Sequence, residues 1–407
     1  MISKIEIESF KSLKKVSLTL GHFNLFIGTN ASGKSNFFDA LRVLQGIGYG
    51  FTVSEILDGK PKSSTSEVWE GLRGGSAYAA FRDRTTSNAS PPSSPTFLKV
   101  SLDIDGVLSF NYEIGFTSNP PVLISESLRE GSRQLYSSNE TSLNRPVIMA
   151  RVNKFSGKGQ PPVVEFDRSR PLLHQVPQKK ECPPQSREAI EGFIHALSNS
   201  QRIDPQPALL RTYSAAERVK RMGERGENFA ALINSIYSDE KTRSAYVAWL
   251  KQLTPSELED VAVLKGALNE PLFGLREAGH VFPAPILSDG TLRFAAIAAA
   301  FFQPDMPELL TIEEIENGIH PSRLRLLVEL LKTQAQGYRQ VMATTHSPIV
   351  LAWLNKNDYK TTFFCKRDED TGASEIKPLS EIPRFEEIVQ KQPIGDLFAE
   401  GWLEGAL

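Results

Sequence analysis

The chain has 407 residues, of which 40% are hydrophobic and 23% are charged, and its formal net charge is −2. A chain of this length is expected to form two or three compact units, and its charge balance excludes a protein that is basic over its whole surface, although a local basic face stays open. Its two cysteines, Cys182 and Cys365, lie too far apart to suggest a disulfide framework or a metal cluster, so a reducing, cytoplasmic location is expected.

The N-terminal segment predicts a series of strands. Residues Ile2 to Phe10 alternate apolar and polar side chains, which is typical of a strand and unlike a signal peptide. A second strand is predicted from Val16 to Leu20 and a third from Leu25 to Ile27. The longest apolar run of the chain, Phe294 to Phe302, has about half the length of a membrane span, so no membrane partner is expected.

The segment after the third strand fits the pattern G-x-x-x-x-G-K-[ST]. In a strand–loop–helix context, the glycines let backbone N–H groups face a phosphate, the lysine reaches the β- and γ-phosphates, and the final hydroxyl binds Mg²⁺. A glycine-rich turn with a solvated lysine is the alternative, and it leaves the flanking strand and helix unexplained. The segment therefore predicts a nucleotide-binding site. Its candidate residues are Gly28, Asn30, Ser32, Gly33, Lys34 and Ser35.

The middle of the chain is predicted to form two further regions. Residues 46–185 predict a β-rich lobe whose polar linkers include a flexible loop at Thr85–Pro95. Its strands are expected at Phe97–Ile104, Leu108–Ile114, Val147–Val152 and Val163–Phe166. Residues 186–279 predict a helical insert. Its helices are expected at Arg187–Leu197, Asn228–Tyr237, Thr242–Leu253 and Pro255–Leu264. Residues 1–45 together with 280–407 are expected to form the nucleotide-binding core.

Two adjacent glutamates follow the apolar segment Leu309–Ile312. A phosphate loop needs a carboxylate for the Mg²⁺ shell and a base that takes a proton from the attacking water, and both are expected where an apolar strand ends. Glu313 is the candidate for the first role and Glu314 for the second. A buried strand that ends in two solvated glutamates is the alternative, and this segment alone does not decide between them.

Two other segments point to the same kind of site. His346 follows the strand predicted at Gln340–Thr345, where it can donate a hydrogen bond to a γ-phosphate or orient the catalytic glutamate. Ser288 and Gly290 precede the helix predicted at Thr291–Phe302, and this helix start offers a hydroxyl and N–H groups to an anion. A structural histidine and a plain N-cap serine are the alternatives.

Together these segments resemble the ABC-type ATPases, and specifically their RecF- and SMC-like branch. Asn36 after the phosphate loop resembles the GKSN start of that branch, and Lys11 and Ser12 match a position that approaches the nucleotide. The remaining motifs are Leu287-Ser288-Asp289-Gly290, which resembles the signature motif, Glu316-Asn317-Gly318-Ile319-His320-Pro321, which resembles E-x-G-L-H-P, and Thr344-Thr345-His346-Ser347-Pro348, which resembles T-T-H-S-P.

The resemblance implies an α/β fold, namely an ABC-type P-loop NTPase head with a mixed sheet, an antiparallel β lobe and a helical insert. It implies ATP and Mg²⁺ as cofactors. ATP would be bound by the phosphate-loop residues with Asn36, Lys11 and Ser12, the metal by Ser35 and Glu313, and catalysis would use Lys34, Glu314 and His346. The resemblance further implies a homodimer in which Ser288 and Gly290 close on the γ-phosphate held by another copy, and a higher oligomer is compatible with it.

The chain departs from the family pattern at two points. The position associated with magnesium is usually Asp but is Glu313 here, and the additional methylene moves the carboxylate by about 1.5 Å, which implies slower hydrolysis or a displaced metal. No glutamine is assigned to the loop that normally links Mg²⁺ to the insert, because Gln134 has no supporting context.

Three functions remain open. The leading hypothesis is an ATP-hydrolysing dimeric switch, similar to stand-alone ATPases of bacterial antiphage and abortive-infection systems, that regulates a separate nuclease or toxin. A separate effector is expected because the segment after His346 is too short for the nuclease (TOPRIM) domain of overcoming-lysogenization-defect relatives. The alternatives are a RecF-like repair ATPase that binds duplex DNA directly and a non-hydrolysing, nucleotide-dependent scaffold.

Direct DNA binding requires a basic face. The basic residues of the predicted helical insert are interleaved with glutamates, so a solvated helix face is the favoured interpretation. These residues are Arg211, Arg218, Lys220, Arg221 and Arg225, with Lys241 and Arg243 beyond them.

Overall fold

A computed structural model of the chain describes residues 1–60, 69–85, 95–104, 108–138, 145–153, 160–253, 258–337 and 339–406. Most of the linker predicted at Thr85–Pro95 therefore lies outside the described residues.

The strands alternate with helices only in part of the chain. The strands are β1 Ile2–Phe10, β2 Leu13–Thr19, β3 Phe23–Ile27, β4 Thr96–Ile104, β5 Leu108–Ser118, β6 Pro121–Glu130, β7 Arg133–Ser138, β8 Val147–Val152, β9 Val163–Asp167, β10 Ser200–Ile203, β11 Leu258–Lys265, β12 Pro271–Glu277, β13 His280–Pro283, β14 Leu309–Ile312, β15 Gln340–Thr345, β16 Thr362–Arg367 and β17 Ser374–Pro378. The helices are α1 Lys34–Gly48, α2 Val53–Asp58, α3 Leu172–Gln175, α4 Pro184–Ser198, α5 Pro207–Leu210, α6 Phe229–Ile236, α7 Glu240–Lys251, α8 Asp289–Ala300, α9 Pro321–Gln334, α10 Pro348–Leu351, α11 Phe385–Ile388, α12 Ile394–Ala399 and α13 Trp402–Ala406.

The chain divides into two compact units. The first consists of Met1–Gly21, Ile27–Ser200 and Thr361–Ile382, and the second of His22–Phe26, Gln201–Lys360 and Pro383–Leu407. The three-part organisation predicted from the sequence, with 1–45 and 280–407 as one core, 46–185 as a lobe and 186–279 as an insert, stays a prediction.

An eight-stranded antiparallel sheet dominates the first unit. Its strands are neighbours in the order β2-β1-β4-β5-β6-β7-β8-β9. The alternation read in β1 sets the register, because Ile5 and Ile7 are buried opposite Leu18 and Val16 of β2. The strands predicted for the β lobe are all present, so this part of the prediction is confirmed.

A buried carboxylate joins this sheet to α3. Glu126 of β6 is 1% exposed, and its carboxylate accepts hydrogen bonds from the Tyr136 hydroxyl at 2.8 Å and from the backbone N–H groups of Leu172 and Leu173 at 2.6 and 2.9 Å. Burial disfavours the charged form and raises the pKa of Glu126 to about 7, even though these donors oppose the shift.

The second unit is built on buried parallel strands. The strands β10, β14, β15 and β3 are neighbours in that order, and β14 and β15 run parallel. Every residue of β14 and β15 is buried, as expected for strands covered on both faces, so the polar residues of this region come where the strands end. Helix α8 is also buried along most of its length.

A three-stranded antiparallel sheet, β11-β12-β13, lies in the region that the sequence predicted to be helical. The helix expected at Pro255–Leu264 is wrong, because the described part of that segment is β11. Its buried residues Leu258 and Val261 are three positions apart, which is a spacing typical of a helix. In this strand the spacing arises because a bulge between Leu258 and Asp260 adds one residue and shifts the register. The other three predicted helices of this region correspond to α4, α6 and α7.

Among the described residues, none of the helices combines the length and the apolar character that crossing a bilayer requires.

The raised pKa of Glu126 predicts a pH-dependent stability. Because the folded chain binds this proton more tightly than a carboxyl with the ordinary pKa of 4.5, the stabilisation is present at low pH and declines as the pH rises towards about 7. The slope is up to about 1.4 kcal/mol per pH unit. We expect the melting temperature of the wild type, relative to that of Glu126→Gln, to fall between about pH 5 and about pH 8.

The matched control for this prediction is Glu113→Gln on the neighbouring strand β5, because its carboxylate is 55% exposed. A difference between wild type and Glu126→Gln that stays constant over this pH range would contradict the prediction.

Candidate functional site

The phosphate loop, Gly28–Ser35, belongs to the first unit and runs into α1. Gly28 and Gly33 have φ values of 149° and 108°, which residues with a Cβ rarely adopt. A Cβ on Gly28 would lie 2.3 Å from the backbone oxygen of Cys365, and a Cβ on Gly33 would lie 2.2 Å from the Ser374 hydroxyl. Both positions therefore require glycine, and the loop can present backbone N–H groups at the start of α1.

The side chains of this loop fit a phosphate group. The Lys34 ammonium is nearly buried and donates to the backbone oxygens of Gly28 and Thr29 at 2.7 and 2.8 Å. The Ser32 hydroxyl is buried and has no hydrogen-bond partner within the described part of the chain. A buried hydroxyl in this state is costly, and a phosphate oxygen would satisfy it. The exposed Asn30 lies at the tip of the loop.

The structure brings Lys11, Ser12, Ser35 and Asn36 to one cavity of about 530 Å³, a size typical of ligand pockets. The Asn36 amide donates to the Ser12 hydroxyl at 2.6 Å, and the Lys11 ammonium donates to the Asp39 carboxylate at 2.5 Å. The predicted neighbours of the nucleotide in the first unit are therefore held together by hydrogen bonds and one buried ion pair.

The two candidate glutamates belong to the second unit and come directly after β14. Glu314 has a φ of 48°, an uncommon value for a residue with a side chain. Its backbone N–H donates to the Thr344 hydroxyl at 2.8 Å, and its carboxylate accepts a hydrogen bond from the Asn317 amide. The side chain of Glu313 is 13% exposed and lies 3.0 Å from the Arg202 guanidinium.

His346 is placed where β15 ends, as the sequence predicts. Its backbone N–H donates to the Glu316 carboxylate at 2.7 Å, and its Nδ1 lies 3.1 Å from the same oxygen. The contact of His346 is thus with Glu316, whereas the sequence suggested that it could orient Glu314. Because Glu316 follows the β14 strand end by only a few residues, it still links the ends of β14 and β15.

Ser288 caps helix α8. Its hydroxyl accepts a hydrogen bond from the Thr291 N–H at 3.2 Å. Within a single copy of the chain, Ser288 therefore acts as the N-cap residue that was considered as the alternative. A Cβ on Gly290 would lie 2.5 Å from the backbone oxygen of Gly318. A cavity of about 800 Å³ is lined by Leu253, the segment 288–291 and residues 318–320, 322 and 323, so the signature segment and the turn after Glu316 share one cavity.

An arginine that was not among the predicted site residues also contacts this region. Arg293 of α8 is 6% exposed, and its guanidinium donates to the backbone oxygens of Glu313 and Glu314 at 3.3 and 3.4 Å and to that of Pro205 at 3.0 Å. The available signal was an arginine within the apolar run that ends α8, because such a charge is buried only where acceptors surround it. Arg293 connects the signature helix to the candidate catalytic pair.

Three of the seven residues of the predicted basic face form ion pairs. The segment from Arg211 to Asn228 is not helical, which corrects the expected helix face. Arg211 contacts Asp289, Arg221 lies 2.9 Å from Asp305, and Arg243 contacts Asp260. Of the remaining candidates, Arg218, Lys220 and Lys241 are exposed and Arg225 is half-buried.

The predicted metal ligands are consistent with magnesium bound together with a nucleotide. In the described ranges, His, Cys, Asp and Glu side chains do not form a group of three that could hold a metal ion. Ser35 of the first unit offers a hydroxyl and Glu313 of the second unit offers a carboxylate, and each is a kind of oxygen donor that Mg²⁺ takes alongside phosphate oxygens and water. The chemistry of each side chain therefore fits Mg²⁺, and their use in one site stays a prediction. Gln134, in contrast, donates to the backbone oxygens of Leu128 and Tyr136 within the sheet.

Comparisons with known proteins identify the family and the fold of the chain. Residues 23–352 match the protein family described as "AAA domain, putative AbiEii toxin, Type IV TA system". The ATP/GTP phosphatase of Helicobacter pylori is 22% identical over 381 residues, which covers 91% of this chain and 93% of that protein. The crystal structure of the SmcHead bound to the C-winged helix domain of ScpA matches 93% of this chain and 99% of its own, with a TM-score of 0.54 and 13% identity. The predicted fold class is thereby confirmed.

The phosphate loop generates a direct prediction. We expect Gly33→Ala to weaken the binding of a fluorescent ATP analogue at least about tenfold, because the left-handed conformation alone costs a residue with a Cβ about 1–2 kcal/mol. The added carbon would also clash with Ser374.

The control for this prediction is Gly192→Ala in α4, where a Cβ meets nothing within 4 Å. Thermal melting shows whether each variant is folded. A folded Gly33→Ala variant with unchanged affinity would contradict the role of this loop.

Proposed function

The chain belongs to the AAA domain family that its residues 23–352 match and is a P-loop ATPase of the ABC type, and we propose that it acts as an ATP-dependent dimeric switch that regulates a separate effector. The observation that supports the dimer best is the cavity at Ser288–Thr291. Its lining consists of residues of the second unit and includes a helix start, a serine hydroxyl and Arg323. A γ-phosphate held by the loop of a second copy would complete such a site.

Each candidate residue has a chemical role in this proposal. The backbone N–H groups of the phosphate loop and the Lys34 ammonium bind the β- and γ-phosphates, and Ser35 and Glu313 would hold Mg²⁺. A bound Mg²⁺ supplies positive charge that stabilises the transferring phosphoryl group. Glu314 accepts the proton of the attacking water, and His346, held by Glu316, donates to the γ-phosphate.

The effector is proposed from the family description and from the chain's own surface. That description names a putative toxin and a type IV toxin–antitoxin system, which supports a role in such a system. The separate nuclease or toxin and the role in antiphage defence are proposed from the resemblance of the sequence motifs. The paired arginines of the second unit give less support to direct DNA binding, because a carboxylate already neutralises Arg211, Arg221 and Arg243. A cytoplasmic homodimer, or a higher oligomer built from it, fits this proposal.

The proposed base makes hydrolysis testable. Glu314→Gln removes the proton acceptor but keeps the side-chain length, so we expect ATP hydrolysis to fall by about 10²–10⁴-fold while ATP binding persists. The variant should accumulate as a dimer when ATP is added, as measured by light scattering. Equal, near-zero hydrolysis by wild type and variant with ATP-dependent dimers in both would instead support the non-hydrolysing scaffold.

A mixing experiment tests the shared site. Lys34→Ala removes the phosphate-binding ammonium, and Gly290→Ala places a methyl group against the Gly318 carbonyl, so each variant alone should be inactive. A mixture contains dimers that pair an intact phosphate loop with an intact signature segment, and we expect ATPase activity to reappear. Two folded variants that stay inactive at every mixing ratio would contradict the dimer proposal.

Binding partners separate the remaining alternatives. Purification with neighbouring gene products, with and without ATP, should recover a second protein if the chain regulates an effector. Salt-dependent binding of duplex DNA by the isolated chain that is lost on charge reversal at Arg218, an exposed residue, would support the repair ATPase instead.

A further inference from the structure

Arg202 lies between two carboxylates. Its Nη2 is 3.0 Å from Glu313 and its Nε is 3.3 Å from Glu224. The arginine side chain is 26% exposed, and the side chains of Glu313 and Glu224 are 13% and 33% exposed. Both contacts are ion pairs without the alignment of a hydrogen bond. The positive guanidinium thus lies between two negative carboxylates.

The backbone explains why these three residues meet. Arg202 is in β10, which lies beside β14 in the sheet, and Glu313 comes directly after β14. Glu224 is brought to the same place because its backbone oxygen accepts a hydrogen bond from Asp204, two residues after Arg202, at 2.8 Å. The backbone, and not the contact with Arg202, therefore brings both carboxylates to this place.

A partly buried arginine needs a carboxylate nearby, because an uncompensated charge in such a place is costly. If the Glu313 carboxylate bound a divalent cation, the guanidinium of Arg202 would keep its ion pair with Glu224. Without a bound cation, Glu313 forms an ion pair with Arg202. The positive charge of Arg202 also opposes the approach of another cation. The side chain of Glu313 is one methylene longer than the aspartate expected at this position, so its carboxylate has a longer reach.

We propose that Arg202 is a positioning residue that engages Glu313 in the absence of nucleotide and competes with the divalent cation for its carboxylate, with Glu224 as the alternative acceptor. This inference rests on the proposed metal role of Glu313. It assigns opposite effects to Arg202 and Glu224. Arg202 lowers the affinity of the site for the metal, and Glu224 raises that affinity by forming an ion pair with the guanidinium.

The test measures Mn²⁺ binding instead of turnover. The full chain is saturated with a non-hydrolysable ATP analogue and titrated with Mn²⁺, and the free ion is followed by electron paramagnetic resonance. We expect Arg202→Gln to bind Mn²⁺ about fivefold more tightly, and Glu224→Gln to bind it about fivefold more weakly than wild type. A merely structural role would weaken binding in both variants.

Two additional variants strengthen the test. Arg325→Gln removes another arginine of the second unit, one that pairs with Glu329 on an exposed helix face, and it should leave Mn²⁺ affinity unchanged. Arg202→Lys keeps the charge and should remain closer to wild type than Arg202→Gln. If Arg202→Gln does not fold, Glu224→Gln alone decides, because unchanged or tighter Mn²⁺ binding in that variant overturns the proposal.

A separate measurement distinguishes the two levels of inference. The affinity for the ATP analogue is determined with the metal removed by a chelator. If the wild type binds no analogue either with Mn²⁺ or with the metal removed, the proposed function fails, and the role of Arg202 fails with it. If the analogue binds but Mn²⁺ affinity is unchanged in Arg202→Gln, or falls in both Arg202→Gln and Glu224→Gln, only the role of Arg202 is overturned.

Discussion

The buried guanidinium of Arg293 is the interaction on which the second unit depends most. It donates to the backbone oxygens of Glu313 and Glu314, so the end of β14 is attached to the helix that begins with the signature segment. A buried arginine is costly unless acceptors surround it, and here backbone oxygens and the nearby Asp204 carboxylate accept hydrogen bonds from its two terminal nitrogens. Any displacement of α8 must therefore be transmitted to the candidate catalytic pair or leave these groups without partners.

The first unit depends on a different constraint, which is the space available to its phosphate loop. The backbone oxygen of Cys365 and the hydroxyl of Ser374 approach Gly28 and Gly33 so closely that a side chain is excluded. This close approach holds the loop in a conformation that a flexible chain would rarely adopt. The loop is thus organised for phosphate by its neighbours before any ligand binds, which lowers the entropic cost of binding.

The candidate site combines strain with electrostatic balance. Glu314 has a left-handed backbone conformation, and Thr344 and Asn317 hold its backbone and its carboxylate. Glu313 lies against Arg202, and His346 against Glu316. Glu313 is therefore compensated by an arginine of β10, and Glu316 accepts a hydrogen bond from the backbone of the residue after β15.

The sequence by itself determined the elements whose signals are local. The phosphate loop, the alternation of β1, the buried strands β14 and β15 and the motifs around Ser288, Glu314 and His346 were all predictable, because each depends on residues adjacent in the chain. Only the tertiary structure decided that 258–265 is a strand, that His346 pairs with Glu316, and that Arg293 and Arg202 surround the glutamates. A bulge imitated a helical spacing in the first case, and in the others the partners are distant in sequence. Charge pairing of this kind depends on which strands become neighbours, and no local pattern encodes that choice.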